Sequence, residues 1–474
     1  MYEKTFLFYD LETSGLNKCF DQVIEFAAIR TNADLEEIAR DHFYLKLTKD
    51  TMPSPGAFIT HRLSLKKIAD GLPENEGVRK IHELMNTPGT ISIGYNSLSF
   101  DDEFMRFSFA KCLLTPYTHQ YLNGCGRADL YPLVVLYYLY KDKALSWPKV
   151  DGNVSMKLEH IASTNNWLVG QAHHAMTDVV ATLSLARALK KDDDMWNFAM
   201  QYFDKASDLS RTKDYCSFAK DDLSNINPAL LVQGKFGRAA NYAAPALCLG
   251  LHKQYTNQTI WLRLDNSELI GASVETASKF IIRNKLAEPP LVLPWKERFT
   301  KVLSSETMTN VATNLKFLTS KNAELFAAVK ANALQYFYPE IANIDIDANL
   351  YTSKFPARHE TEQLDSFHDD LLTKQSAKML SGIRNKRFHA QALRYIWRFY
   401  SDLLPTKYIE DLSRYSAQIT AENNNIIDFK GENRLSPHTV LQEITKLKSG
   451  SLDQQQLDIL AELTEYLQQH FNTN

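Results

Sequence analysis

The chain has 474 residues, of which 44% are hydrophobic and 23% charged, so it is neither disordered as a whole nor built mainly for a bilayer. At about 150 residues per domain this length implies about three domains, because a single core rarely grows so large. Against 56 acidic residues stand 53 basic ones, a net charge of −3, which excludes a histone-like coat of nucleic acid but not a local basic groove.

In chain order, residues 1–190 alternate strand and helix patterns. Thr5–Tyr9 is a short apolar run ending at Asp10, Val23–Thr31 continues the pattern, and His42–Leu47 alternates as a half-buried strand does. Thr90–Asn96 reads as a further strand, followed by helical periodicity over Asp101–Leu113. Asp129–Tyr140, Ser155–Ser163 and above all Thr177–Lys190 read as helices, the last with an apolar stripe through Val179, Leu183, Ala186 and Leu189. This is an α/β domain with a mixed sheet, placed at 1–192; the charged run Lys190–Asp194 marks its end. Short strand-like segments (Ala246–Leu251, Thr259–Leu264, Lys279–Ile282) and helices near 304–335 make 193–352 a small β-rich α+β domain. From 353 to the end the chain is all-α, with helices expected at 359–383, 385–400, 405–421, 437–448 and 453–471. Five scattered cysteines without a CxxC pair (Cys19, Cys112, Cys125, Cys216, Cys248) read as reduced thiols of a cytoplasmic protein. The N-terminus turns acidic too early for a secretory signal, and runs such as Leu133–Tyr140 are too short to cross a membrane.

Three short segments carry chemistry. In Phe8-Tyr9-Asp10-Leu11-Glu12-Thr13-Ser14-Gly15, Asp10 and Glu12 stand two apart on a strand and so share a face. Two carboxylates there repel unless a cation sits between them, and a hard divalent ion suits oxygen ligands; a plain polar strand exit is the alternative. In Gly94-Tyr95-Asn96-Ser97-Leu98-Ser99-Phe100-Asp101 an Asp opens a helix, where either Asp101 or Asp102 could simply cap free N–H groups. In His173-His174-Ala175-Met176-Thr177-Asp178 an Asp begins a long helix just after two histidines. A His five residues before Asp178 must sit on the preceding loop to face the same site as that carboxylate.

Taken together, D-x-E, N-x₃-F-D and H-x₄-D resemble the DnaQ-like 3′→5′ exonucleases of the DEDDh type, built on a ribonuclease H-like fold. The spacing of that family selects His173 over His174. Pro55-Gly56-Ala57, Phe26-Ala27-Ala28-Ile29-Arg30-Thr31, Phe100-Asp101-Asp102-Glu103, Ser146-Trp147-Pro148 and Lys157-Leu158-Glu159-His160 are similar to the exodeoxyribonuclease I family, as are Gly234-Lys235-Phe236-Gly237 and Ala244-Pro245-Ala246-Leu247. The resemblance is strong to about residue 190, recognisable to 265 and weak afterwards. It implies a nuclease domain, an SH3-like β domain and a helical C-terminal domain. Two departures stand out: Ile59-Thr60-His61-Arg62 replaces the usual Ile-Thr-Gly-Ile, and Arg394-Tyr395-Ile396-Trp397-Arg398-Phe399 only partly keeps the family's stretch.

What the resemblance implies is processive removal of 5′-mononucleotides from the 3′ end of single-stranded DNA, in DNA repair and recombination. Asp10, Glu12, Asp101 and Asp178 would hold two Mg²⁺ ions (Mn²⁺ may substitute), typically about 3.5–4 Å apart, with His173 as general base. Glu12, Thr13 and Lys157 would hold the terminal nucleotide; Arg106, Tyr117, Tyr121 and, more weakly matched, Tyr351 would lie along the strand. Lys141 aligns with a basic residue that takes the acidic C-terminal tail of single-stranded DNA-binding protein. A monomer without membrane contact is expected. The rival readings are a DEDDh exoribonuclease on short RNA and a non-catalytic single-stranded DNA-binding platform. On their own, Arg387, Gln391, Arg394 and Arg398 fall on one helix face, as a solvated helix packed on the core, a wall of a DNA channel or a dock for an acidic peptide.

Overall fold

Aromatic and apolar residues make Thr5–Thr13 (β1) an extended strand, and Val23–Thr31 (β2) is buried along nearly its whole length because both of its faces are covered. In the computed structural model, which describes residues 2–167, 174–215, 227–319, 322–373 and 380–471, the two strands pair antiparallel from Phe6↔Thr31 to Glu12↔Glu25, with a bulge between Glu12 and Thr13. Glu37–Tyr44 (β3) lies antiparallel on the far side of β2, while Thr90–Gly94 (β4) runs parallel to β1. With Gly126–Asp129 (β5) the sheet has the order β3-β2-β1-β4-β5.

One core packs Tyr9, Leu11, Phe26 and Ala28 of the sheet against four helices. Val78, Ile81 and Met85 come from the helix Glu74–Asn86, and Phe104, Met105 and Phe109 from the helix Asp101–Lys111. Phe367, Leu371, Tyr395 and Ile396 come from the C-terminal helices Arg358–Leu372 and Lys386–Phe399. A second cluster joins Ile24, Phe58 and Phe107 to Ile444, Leu460, Leu463 and Leu467 of the helices Pro437–Lys448 and Gln454–Phe471. Each such side chain, fully buried, contributes about 1.5–3 kcal/mol. The compact unit they form comprises Met1–Arg127, Leu168–Leu183 and Glu340–Asn474. The helix Glu74–Asn86 has no expected counterpart in the sequence reading. Its Gly77 weakens the helical pattern, and a Cβ there would meet Leu45 Cδ2 at 2.6 Å, so close packing accounts for the glycine.

The basic face expected on the helix Lys386–Phe399 is neither solvated nor open to a ligand at its last two arginines. Arg394 pairs with Asp345 and Asp347 at 2.6 and 3.0 Å, and Arg398 with Asp50 and Asp347 at 2.8 and 2.6 Å. Arg398 and its two partners are almost wholly buried. Their partners come from sequence-distant loops, which is why helical periodicity cannot distinguish an outward charge from an inward one.

The second unit comprises Ala128–Trp167 and Ser184–Pro339. After a small hairpin of Lys149–Val150 (β6) and Asn153–Val154 (β7) come Ala229–Val232 (β8), Ala243–Leu251 (β9), Gln258–Arg263 (β10), Ile281–Lys285 (β11) and Leu291–Pro294 (β12). The last five form an antiparallel sheet of order β11-β10-β9-β8-β12. Leu247, Ile260 and Leu262 pack under Val311 and Leu318 of the helix Ser305–Thr319 and Phe326 and Val329 of the helix Ala323–Gln335. The thiol reading needs correction here: Cys19, Cys112 and Cys125 are free and buried, but Cys248 on β9 is disulfide-bonded. Spacing along the chain does not reveal a bond closed by tertiary contact. Among the described residues no helix is long and apolar enough to cross a membrane.

Candidate active site

Alternation along β1 sets Asp10 and Glu12 on one face, opposite Ala27 and Glu25 of β2. On the other edge the pairing of β1 with β4 runs from Thr5↔Thr90 to Phe8↔Ile93, so the two acids project beyond the last pair formed with β4. There the chain leaves β4 at Gly94, and Asn96 takes a left-handed conformation (φ 59°, ψ 23°), which Asn tolerates better than most residues. A turn of 3₁₀ helix, Ser97–Ser99, then delivers Asp101 to the first position of the helix Asp101–Lys111. The cap position itself is Phe100, so Asp101 is not the N-cap. Asp178 reaches the same place from the first turn of the helix Ala175–Lys190, where free N–H groups favour a negative charge.

Carboxylate oxygens of Asp10, Glu12 and Asp178 lie within 4.8 Å of one another. Burial, and then the charges of Asp101, Asp178, Glu12 and Glu25, push the Asp10 carboxyl well above its ordinary range. Burial, Glu25, Asp178 and Asp101 do the same to Glu12. The four carboxylates therefore share one field, and that field favours a cation. All the donors are oxygens, which fits a hard dication such as Mg²⁺ or Mn²⁺ and not a metal that prefers thiolate or imidazole.

The neighbouring Asp102 has a different task. Despite burial, Arg127, Arg106 and His119 hold its carboxyl well below the usual range. Arg106 donates to Asp102 Oδ2 at 2.6 Å, Arg127 donates to the same oxygen, and His119 Nε2 donates to Oδ1 at 3.3 Å. Two adjacent acids are thus separated into one that faces the cage and one neutralised in the core.

The other expected site residues fall in several places. Thr13 is buried, its hydroxyl donating to the Gly15 carbonyl at 2.8 Å. Arg106 is 6% exposed; its guanidinium lies 5.9 Å from the Tyr117 ring and donates to the Tyr351 hydroxyl at 3.4 Å. Tyr351 in turn donates to Glu103 at 2.7 Å and packs edge-on against Phe107, while Tyr117 packs edge-on against Phe355. Arg106, Tyr117 and Tyr351 therefore form one cluster. Tyr121 is 67% exposed. In the second unit, Lys157 is exposed beside Glu159 at 3.4 Å, and Lys141 pairs with Asp192 at 2.5 Å. His173 lies outside the described residues.

Sequence reasoning missed a second cluster in the first unit. Glu25, His42 and His174 also place their ligand-type atoms within 4.8 Å of one another. The signal available was Glu25 itself, the one carboxylate in the otherwise largely apolar strand Val23–Thr31.

The RNase_T family model, described as Exonuclease, matches residues 7–186. The chain is 30% identical over 293 residues to the exodeoxyribonuclease I of Buchnera aphidicola subsp. Acyrthosiphon pisum, covering 61% of this chain and 69% of that protein. To the exodeoxyribonuclease I of Escherichia coli (strain K12) it is 30% identical over 280 residues, 58% of this chain and 57% of that one. A crystal structure of E. coli exonuclease I in complex with a dA16 oligonucleotide superposes with a TM-score of 0.85 at 21% identity, covering 99% of this chain and 100% of the other.

Proposed function

The chain belongs to the exodeoxyribonuclease I family, and from that premise we propose that it degrades single-stranded DNA from the 3′ end. The observation that carries this reading is the cage in which oxygens of Asp10, Glu12 and Asp178 come within 4.8 Å, with Asp101 close enough to perturb the first two. The enzyme is a metal-dependent hydrolase of phosphodiesters. Asp10, Glu12, Asp101 and Asp178 would hold two Mg²⁺ ions, for which Mn²⁺ would substitute. Bound there, such ions would supply a nucleophile from water at neutral pH and offset charge on the departing 3′ oxygen.

The remaining steps belong to side chains. His173 takes the proton of the attacking water, a task suited to an unperturbed pKa of about 6.5. The bond between phosphorus and the 3′ oxygen of the penultimate nucleotide breaks, releasing a 5′-mononucleotide and leaving a new 3′-hydroxyl. Glu12, Thr13 and Lys157 orient the terminal nucleotide. Tyr117, Tyr121 and Tyr351 offer ring faces to successive bases, each worth about 1–3 kcal/mol without reading sequence. Arg106 contributes by holding two of these rings, Tyr117 through its guanidinium and Tyr351 through its hydroxyl.

The three-part organisation, 1–192, 193–352 with an SH3-like β domain, and 353–474, is part of the same proposal. So are a monomeric, cytoplasmic, processive enzyme acting in DNA repair and recombination, and docking of the acidic tail of single-stranded DNA-binding protein at Lys141.

The test is nucleotide release from 3′- and 5′-labelled single-stranded DNA and matched RNA, with Mg²⁺ and with EDTA, beside Asp178→Ala. Metal-dependent loss from the 3′ end of DNA, absent in the variant, is expected. Equal or faster loss from RNA makes the protein a ribonuclease, and tight DNA binding without cleavage makes it a platform.

A further inference from the structure

Beside the carboxylate cage, and with a different donor chemistry, stands the cluster of Glu25, His42 and His174. Glu25 lies on β2 with its side chain fully buried; His42 lies on β3, and His174 directly precedes the helix Ala175–Lys190. His42 Nε2 is 2.6 Å and His174 Nδ1 is 3.1 Å from the same oxygen, Glu25 Oε1. The imidazole rings stand 5.6 Å apart at 62°. The other carboxylate oxygen, Glu25 Oε2, is buried with no hydrogen-bond partner. A buried carboxylate that meets two imidazoles through one oxygen leaves the other available to a cation, since burying a charge without full compensation is unfavourable.

Two imidazoles and one carboxylate are a recurrent ligand set for first-row transition dications. Bonds of about 2.0–2.2 Å put such donors roughly 3–3.5 Å apart in a tetrahedral shell, close to the spacing already present. Imidazole donors select against Mg²⁺, so this cluster and the all-oxygen cage sort metals by chemistry. We propose that Glu25, His42 and His174 bind one Zn²⁺-class dication, separate from the magnesium cage, and that the ion clamps the start of the Asp178 helix to β2 and β3.

The hydrogen bonds around His174 say how the loaded and metal-free states differ. Without metal, Nδ1 stands 3.1 Å from Glu25 Oε1, and Nε2 faces Lys67 Nζ at 3.2 Å and the Tyr44 hydroxyl at 3.4 Å. Metal on Nδ1 moves the proton to Nε2, which then faces the ammonium as a second donor. Lys67 must withdraw when the ion binds. It is exposed, which leaves room for this, and its removal favours the loaded state.

The experiment titrates the full chain, stripped with EDTA and returned to excess Mg²⁺, with Co²⁺ as spectroscopic probe and Zn²⁺ as competitor. One Co²⁺ per chain with a visible d–d band displaced by Zn²⁺ is expected, together with a rise in the unfolding midpoint. His42→Ala and His174→Ala should each weaken binding by at least about tenfold. Lys67→Met should tighten it, and Asp10→Asn should leave the band in place. Should an alanine variant not fold, as read by circular dichroism, His42→Gln and the gain of affinity in Lys67→Met decide the matter. Absence of the band in wild type, its survival in both histidine variants, or its loss in Asp10→Asn would each overturn the proposal. The last result would put the ion in the carboxylate cage. None of these readouts depends on nuclease activity, so failure here and failure of the exonuclease reading are distinguishable.

Discussion

Replacing Asp10 with Asn should make the metal-free protein more stable while abolishing its activity. The substitution keeps the shape of the side chain and removes one charge from a group whose oxygens lie within 4.8 Å. At that separation two full negative charges repel by about 3.5 kcal/mol at an effective dielectric constant of about 20. The wild type feels this repulsion, because burial and the neighbouring acids push the Asp10 and Glu12 carboxyls well above their ordinary range. The gain is therefore expected at about 1–3 kcal/mol near neutral pH. Its pH dependence has a definite sign. A carboxyl raised in the folded state destabilises as pH climbs through that raised value, so the advantage of the variant grows with alkalinity and fades below about pH 4. Unfolding midpoints by scanning fluorimetry in EDTA across this range give the measurement. Adding Mg²⁺ should then narrow the gap, since a ligand at 100 times its Kd stabilises the wild type by about 2.7 kcal/mol and the variant by less. A variant that melts below wild type in EDTA and responds equally to Mg²⁺ would refute the reasoning. The four acids would then be ordinary structural partners.

Three further outcomes are expected. Arg398→Met should lower stability by about 3–5 kcal/mol in urea unfolding, because it leaves Asp50 and Asp347 buried with fewer partners; a loss under 1 kcal/mol would mean Arg394 and Arg434 suffice. Burial, then Arg79 at 2.9 Å, lowers the His368 pKa to about 4. The unfolded chain therefore takes up the proton first, and stability falls by about 3 kcal/mol between pH 6.5 and 4; His368→Gln should flatten that slope in pH-dependent denaturation. Gly15→Ala should destabilise by about 1–3 kcal/mol and slow DNA cleavage, because its Cβ would stand 2.3 Å from Asp21 Oδ2, the oxygen that accepts from Asn17 N at 2.7 Å. Unchanged melting and turnover would show that this turn yields without strain.

Local pattern was enough for the elements that frame the cage. β2 spans Val23–Thr31 as its apolar run implies, and the helix carrying Asp178 covers Ala175–Lys190 against an expected Thr177–Lys190. Periodicities of 2 and 3.6 are properties of consecutive residues, so they survive without tertiary context. Short segments do not carry such a signal: β5, β8 and β12 have four residues each, too few for either period to show.

The candidate acids were legible as residue types at strand and helix edges, yet neighbours in sequence took opposite roles. Asp101 joins the field of Asp10, whereas Asp102, one residue on, is neutralised by Arg106, Arg127 and His119. Arg394 and Arg398 looked like a basic surface and are internal ion pairs to Asp50, Asp345 and Asp347. His174, passed over on spacing, meets Glu25 and His42. The chain by itself determined where carboxylates, strands and helices begin, because those follow from adjacent residues. Only the tertiary structure decided which charges face one another, because Coulomb attraction and burial depend on distances that close between residues far apart in sequence.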